Sequence, residues 1–195
     1  MSQDSQGSLI DDIAGGGATS SDRAEAPLAT VRLSSAHRIQ DFACASDSVT
    51  RFLREKAARW VKRRYCGVFV WADPSDPTAI LGFYTISQYM LQRDQMRHKD
   101  KSAALQKDIP LVLIGYMGKN NGAPKGVGAA LLIDAARRAY RSLDIPAVGL
   151  AVEPEGGREN KKLWDWYERS GFIPAKTIDR LMYGTYEAFI PELTE

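Results

Sequence analysis

From Thr30 onward, short apolar runs alternate with segments in which apolar residues return every three or four positions; residues Met1–Ala26 show neither rhythm. Leu28–Leu33 reads as a short strand. Val49, Leu53, Ala57, Trp60 and Val61 recur at helical spacing, which predicts an amphipathic helix over about Val49–Arg64 with Asp47 or Ser48 as its cap. Two β-rich runs, Cys66–Ala72 and Ile80–Tyr89, flank a turn at Asp73–Thr78 that contains Pro74 and Pro77, so they read as a hairpin. Gln92–Asp108 is polar and basic, a helix or a mobile loop. Pro110–Gly118 is apolar at consecutive positions, as in a strand buried on both faces. A loop, Lys119–Lys125, leads into a helix over about Gly128–Ser142, and Ala147–Val152 is a second buried strand. A helix over Glu159–Ser170 stops at Gly171, placed at the C′ position where positive φ costs least. Leu181–Ile190 supplies one or two last strands. The order β-α-β-β-(α)-β-α-β-α-β predicts an α/β (α+β) fold: a mixed, mostly antiparallel sheet with helices packed on both faces.

Composition narrows the chemistry. The 195 residues are 44% hydrophobic and 26% charged, the balance of a globular domain. No apolar run reaches the roughly 18 residues needed to cross a bilayer, and the start lacks the pattern of a secretory signal, so no membrane is expected. Cys44 and Cys66 are too few for a disulfide scaffold, which suggests a reducing cytoplasm. With His37 and His98 the only histidines, metal sites and His-based triads lose their parts, and no metal is expected. The net charge of +2 is unevenly spread: Asp4, Asp11, Asp12, Asp22 and Glu25 against Arg23 give Met1–Ala26 a charge of −4 and leave +6 on the rest. Residues 1–26 therefore read as a disordered acidic tail and 27–195 as a single basic domain suited to polyanionic company.

Lys125-Gly126-Val127-Gly128-Ala129-Ala130 joins a buried strand to a helix. Glycine lets backbone approach a ligand closely, and the first N–H groups of a helix lack intrahelical partners, so the segment suits an anion such as a diphosphate. A glycine-eased turn with no ligand fits the same residues. A Walker loop fails because no Gly-Lys-Ser/Thr follows. A dinucleotide fingerprint lacks its third glycine, where Leu131 stands, although Glu153 could imitate its ribose-binding acid. A coenzyme A diphosphate site is the third reading.

Further along, Asn160, Leu163, Tyr167 and Gly171 step by three, four and four residues and end in Phe172. This resembles the Asn-x-x-Ala-x-x-x-Tyr-x-x-x-Gly-Phe signature of the GNAT superfamily of N-acetyltransferases, whose Gln/Arg-x-x-Gly-x-Gly/Ala loop falls at Ala123–Gly128. Upstream, Phe42-Ala-Cys44 followed by Phe52-Leu53 is similar to the opening of the acetyltransferase toxins of type II toxin–antitoxin modules, the TacT/AtaT-like group. Leu81–Ser87 is similar to the strand that follows there, so the resemblance runs from about Thr30 to Phe189. Ala123 replaces the usual Gln or Arg, Pro124 removes a backbone donor, and Leu163 is larger than the expected residue. Lys119 and Lys125 could restore part of the missing charge.

The resemblance implies acetyl transfer from acetyl-CoA to a primary amine, with aminoacyl-tRNA as the acceptor. It implies cofactor contacts at Tyr116, Met117, Gly118, Lys125, Gly126, Val127, Gly128, Ala129, Ala130 and Asn160. Backbone N–H groups at Tyr116–Gly118 are the oxyanion candidates, Asn160 the orienter of the pantetheine arm, and Tyr167 the general acid. Tyr167 also suits a core aromatic beside Trp164 and Trp166. No residue stands out as general base, although Glu153 and Glu155 are available; an α-amine titrating near ~8 tolerates that absence. Arg51, Arg54, Arg59, Lys62 and Arg63, with Arg93 and Arg97, could follow a tRNA backbone; they equally suit a solvated face or the seat of an acidic ribbon-helix-helix antitoxin. Homodimerisation is implied by likeness alone. An acetyltransferase for small-molecule or protein amines, and a weakly catalytic CoA- or partner-binding module, remain alternatives.

Overall fold

The computed structural model describes residues 30–97, 107–142 and 146–189; the acidic tail and most of the basic segment after Arg97 lie outside them. Seven strands form one sheet: β1 (Val31–Arg32), β2 (Gly67–Asp73), β3 (Asp76–Gln92), β4 (Asp108–Lys119), β5 (Gly149–Val152), β6 (Ile173–Pro174) and β7 (Met182–Thr185). Their order is β1-β2-β3-β4-β5-β7-β6. β1 runs antiparallel to β2, β4 parallel to β5, and β7 antiparallel to both β5 and β6, so the sheet is mixed. Helices α1 (Asp47–Arg51), α2 (Ala57–Lys62), α3 (Val127–Arg141) and α4 (Lys161–Arg169) complete the regular structure. The chain divides into two compact units: residues up to Thr85 with Tyr116–Asp134, and Ile86–Gly115 with the residues from Ala135 onward.

In the first unit the predicted helix exists but is interrupted. Phe52–Lys56 winds as one π turn between α1 and α2, with the Ala57 N–H reaching back to the Phe52 carbonyl. This wider turn places both Phe52 and Leu53 in the core with Phe42, Val49, Val70 and Phe83. The cap is Ser46, one residue earlier than expected: its Oγ accepts from the Val49 N–H at 3.2 Å, leaving Asp47 to face the positive end of the helix. α2 ends in a Schellman motif, with Tyr65 N–H bonded to the Trp60 carbonyl and Arg64 N–H to that of Val61, both at 3.0 Å. Glycine normally fills the left-handed position; here Arg64 holds it at φ 59°. The hairpin turn is tighter than the two prolines suggested, because Asp73 Oδ1 accepts from the Ser75 N–H at 2.8 Å and β3 restarts at Asp76. Asp134, buried in α3, accepts from the hydroxyls of Thr30 and Tyr84.

In the second unit, Leu91, Met96, Ile109, Leu111, Ala151, Leu181 and Tyr183 form the core. All four residues of β5 are buried, as its unbroken apolar run predicted. Arg93–Gln95 is a single 3-10 turn, held by Gln95, whose carbonyl accepts from Lys176 N–H and whose Oε1 accepts from Thr177 N–H. The short β6 was not foreseen, since two residues ending in Pro174 carry no periodic signal.

Candidate active site

The loop after β4 is pinned to its surroundings in the first unit. Asn120 N–H donates to the Leu81 carbonyl at 2.8 Å, Asn121 N–H to that of Ala43 at 2.8 Å, and Ala123 N–H to that of Asn120 at 2.9 Å. Gly126 follows at φ 91°, a conformation costly for any residue with a Cβ, and turns the chain into α3. The first helical bond runs from Ala130 N–H to the Gly126 carbonyl at 3.0 Å. The N–H groups of Val127, Gly128 and Ala129 therefore lie in the unpaired first turn of a 15-residue helix, at the positive end of its dipole. A Cβ built on Gly126 or Gly128 meets nothing within 4 Å. That open space above unpaired donors fits an anion such as a diphosphate, and neither glycine is explained by internal packing. Lys125 and Ala129 are exposed, Ala130 half-buried and Val127 buried. Ala123 and Pro124 contribute no donor, the first because its N–H is used and the second because it has none. Lys119 is 7% exposed, whereas Lys125 lies at the surface.

Helix α3 sits close to the sheet at Gly82, where a Cβ would come within 2.7 Å of Leu131 Cδ1 and 3.1 Å of Val127 Cγ1. Gly118 is a packing glycine as well: a Cβ there would lie 2.9 Å from Val49 Cγ1 and 3.2 Å from Cys44 Sγ. The end of β4 differs from the expectation that all three N–H groups of Tyr116–Gly118 are free for an oxyanion. The Tyr116 N–H donates to Thr85 Oγ1 at 2.9 Å and is not available as an oxyanion donor. Thr85, a buried polar residue on β3, gave no signal in the sequence because an isolated strand threonine has no motif. Met117 and Gly118 keep their place as candidates, Met117 half-buried and Gly118 buried. The Tyr116 ring stacks on Phe52 with centroids 3.8 Å apart and meets Trp60 edge-on at 6.2 Å.

In the second unit, Asn160 caps α4 rather than standing within it. Its Oδ1 accepts from Leu163 N–H at 3.4 Å and its Nδ2 donates to the Glu155 carbonyl at 3.2 Å. The other end of α4 is a second Schellman motif: Phe172 N–H bonds to the Tyr167 carbonyl at 3.0 Å and Gly171 N–H to that of Glu168 at 3.1 Å. Gly171 has φ 94°, and the Tyr167 and Phe172 rings meet edge-on at 5.5 Å, the apolar contact that accompanies this cap. The Tyr-x-x-x-Gly-Phe spacing is thus a device that locks the Tyr167 ring. The Trp166 ring also meets it, at 4.7 Å between centroids. Burial pushes the Tyr167 phenol above its ordinary value, so it holds its proton through neutral and mildly alkaline pH. Glu153 and Glu155 are both exposed. Tyr89, which the sequence did not single out, is raised by burial and by the charge of Glu153, which places that carboxylate in its field.

Of the basic residues, Arg51, Arg59, Lys62 and Arg63 are exposed, as are Arg93 and Arg97 in the second unit. Arg54 differs from the expectation of a solvent-facing cation: it is half-buried and its Nε donates to the Phe42 carbonyl at 2.8 Å, tying the helix to the preceding turn. Among the described residues no group of three or more His, Cys, Asp or Glu could hold a metal ion. No helix of the described residues is long and apolar enough to cross a membrane.

A mixed seven-stranded sheet, with a glycine loop opening the helix after its fourth strand and a capped helix after its fifth, is the GNAT fold. Solved structures that share it include toxins. One is "AtaT complexed with acetyl-methionyl-tRNAfMet", 20% identical with a TM-score of 0.74, aligned over 85% of this chain and 99% of that one. A tyrosine-to-phenylalanine mutant of AtaT, bound to acetyl-CoA and the C-terminus of the antitoxin AtaR, is 20% identical with a TM-score of 0.67, over 86% and 98%. A tyrosine-to-phenylalanine mutant of KacT is 21% identical with a TM-score of 0.64, over 80% and 92%. No protein-family profile matches the chain.

Proposed function

We propose that the chain is a toxin of the acetyltransferase kind, which uses acetyl-CoA to acetylate the α-amino group of aminoacyl-tRNA and so blocks translation. The observation that carries this reading is the start of α3, where unpaired N–H groups face open space at Gly126 and Gly128. Val127, Gly128 and Ala129 would hold the diphosphate through those donors, with Lys125 adding charge from the surface. Acetyl-CoA, when bound, supplies the acyl group as a thioester. The N–H groups of Met117 and Gly118 are the remaining oxyanion candidates on β4. Asn160 keeps one lone pair and one N–H beyond its capping bonds, which leaves it able to orient the pantetheine arm.

Tyr167 is the proposed general acid. Its Oη keeps a proton because burial disfavours the phenolate. The same dry surroundings would also disfavour a thiolate leaving beside it, so the shift does not by itself oppose delivery of that proton to sulfur. An acceptor α-amine with an ordinary value near ~8 is partly neutral at physiological pH, which supports an amine needing little help from a base. The likeness to AtaT, solved with an acetylated methionyl-tRNA, supports charged tRNA as acceptor, and the AtaR-bound structure supports an antitoxin as partner. The exposed cations of α1–α2, Arg93 and Arg97 fit either polyanion. The test is mass spectrometry of aminoacyl-tRNA incubated with the protein and labelled acetyl-CoA. A labelled α-amino group on the amino acid is the expected product, and unmodified charged tRNA alongside acetyl-CoA binding would overturn the proposal.

A further inference from the structure

Among the described residues of the first unit, Tyr65 is the aromatic ring that the fold leaves largely exposed. Tyr65 is 59% exposed although it lies three residues past α2, against the half-buried Trp60. Its ring is backed edge-on by Trp60 at 5.8 Å, Trp60 meets Tyr116 at 6.2 Å, and Tyr116 stacks on the fully buried Phe52 at 3.8 Å. The exposed ring is therefore the outer end of a rigid aromatic series that begins in the core. Its position depends on the Schellman cap, which is held by an arginine in the left-handed conformation where glycine would be the relaxed choice. A strained residue kept at such a place is a pointer to use. Arg59, Lys62, Arg63 and Arg64 are all exposed around this end of the helix, and among the described residues none of them forms an ion pair.

We infer that Tyr65 is a stacking site for an unpaired nucleobase at the acceptor end of the substrate RNA, with Arg63 and Arg64 holding the adjoining phosphates. A largely exposed ring amid guanidinium groups that have no ion-pair partner among the described residues is the arrangement by which proteins take up unpaired nucleotides. An acidic peptide would use the cations but has no need of the ring. Two ring contacts separate Tyr65 from Tyr116, beside the acyl-site candidates Met117 and Gly118, so a base stacked here belongs to the few nucleotides next to the one that bears the amino acid. This site rests on the proposed tRNA substrate and names the part of that substrate the surface recognises.

The test compares Tyr65→Ala, Tyr65→Trp and Arg63→Ala in the full chain. Binding of charged tRNA and of a short single-stranded oligoribonucleotide is measured at several salt concentrations. Loss of one stacked base predicts affinity weakened about 5- to 150-fold in Tyr65→Ala, with an unchanged salt slope and unchanged acetyl-CoA affinity. Tyr65→Trp restores binding, and Arg63→Ala lowers the slope by about one. Wild-type RNA affinity in Tyr65→Ala overturns the inference, as does a loss that Tyr65→Trp does not repair. If charged tRNA binds in a Tyr65-dependent way and yet is never acetylated, the proposed reaction fails and the stacking site stands.

Discussion

Replacing Gly128 by alanine separates a glycine kept for backbone reasons from one kept for a ligand. Gly128 is the second residue of α3, it has no positive φ, and a Cβ there meets nothing within 4 Å. Helix energetics alone favour alanine at such a position by about 0.5–1 kcal/mol, with no steric cost to offset the gain. If the N–H groups of the first turn hold the diphosphate of acetyl-CoA, the added methyl stands in the approach to them. Weakening one charge-assisted hydrogen bond would cost about 1.5–3 kcal/mol of binding, roughly 10- to 150-fold in Kd. The two effects oppose each other and are read in one denaturation series with and without acetyl-CoA. At ligand about 100-fold above the wild-type Kd, binding adds about 2.7 kcal/mol to the wild type; a 30-fold weaker variant gains only about 0.9 kcal/mol. The variant should be the more stable protein without ligand and the less stable one with it. A variant that keeps its advantage at every ligand concentration, and binds acetyl-CoA with wild-type affinity, would show that α3 does not hold the diphosphate.

Tyr167→Phe should lower kcat by about 10²–10⁴ with little change in acetyl-CoA affinity, and steady-state kinetics against calorimetry would separate the two. Burial raises the Tyr167 phenol, so its deprotonation should not reduce activity below about pH 10; the stability it contributes is intact below the ordinary phenol value near ~10 and is lost as pH rises through the folded value, which alkaline unfolding would follow. Gly171→Ala combines φ 94° with a Cβ 3.0 Å from Phe189 Cε1, and should destabilise by about 2–4 kcal/mol in denaturant unfolding. Arg64→Gly should do the opposite at the matching cap, adding about 1 kcal/mol by relieving the left-handed arginine while weakening RNA binding.

The sequence alone determined the elements whose information is local. A helix cap such as Gly171 is written in adjacent residues, because the backbone sterics that demand it do not depend on the rest of the molecule. The buried strand β5 is equally local, since an unbroken apolar run has no face to give to water. The glycine loop and the Tyr-x-x-x-Gly-Phe spacing were legible for the same reason, and they led to the GNAT fold. Tertiary structure decided what those residues do to one another. The π turn at Phe52–Lys56 exists because both Phe52 and Leu53 find room in the core, which a regular helical period does not encode. Thr85 took the Tyr116 N–H through a pairing 31 residues apart, and Arg54 turned from the solvent toward the Phe42 carbonyl. Two glycines that look alike in the chain were divided the same way: Gly118 is required by Val49 and Cys44 pressing on it, and Gly128 faces open space. Sequence fixes what a residue is able to do; whether a neighbour already occupies its donor, or the volume beside it, depends on contacts between segments far apart in the chain.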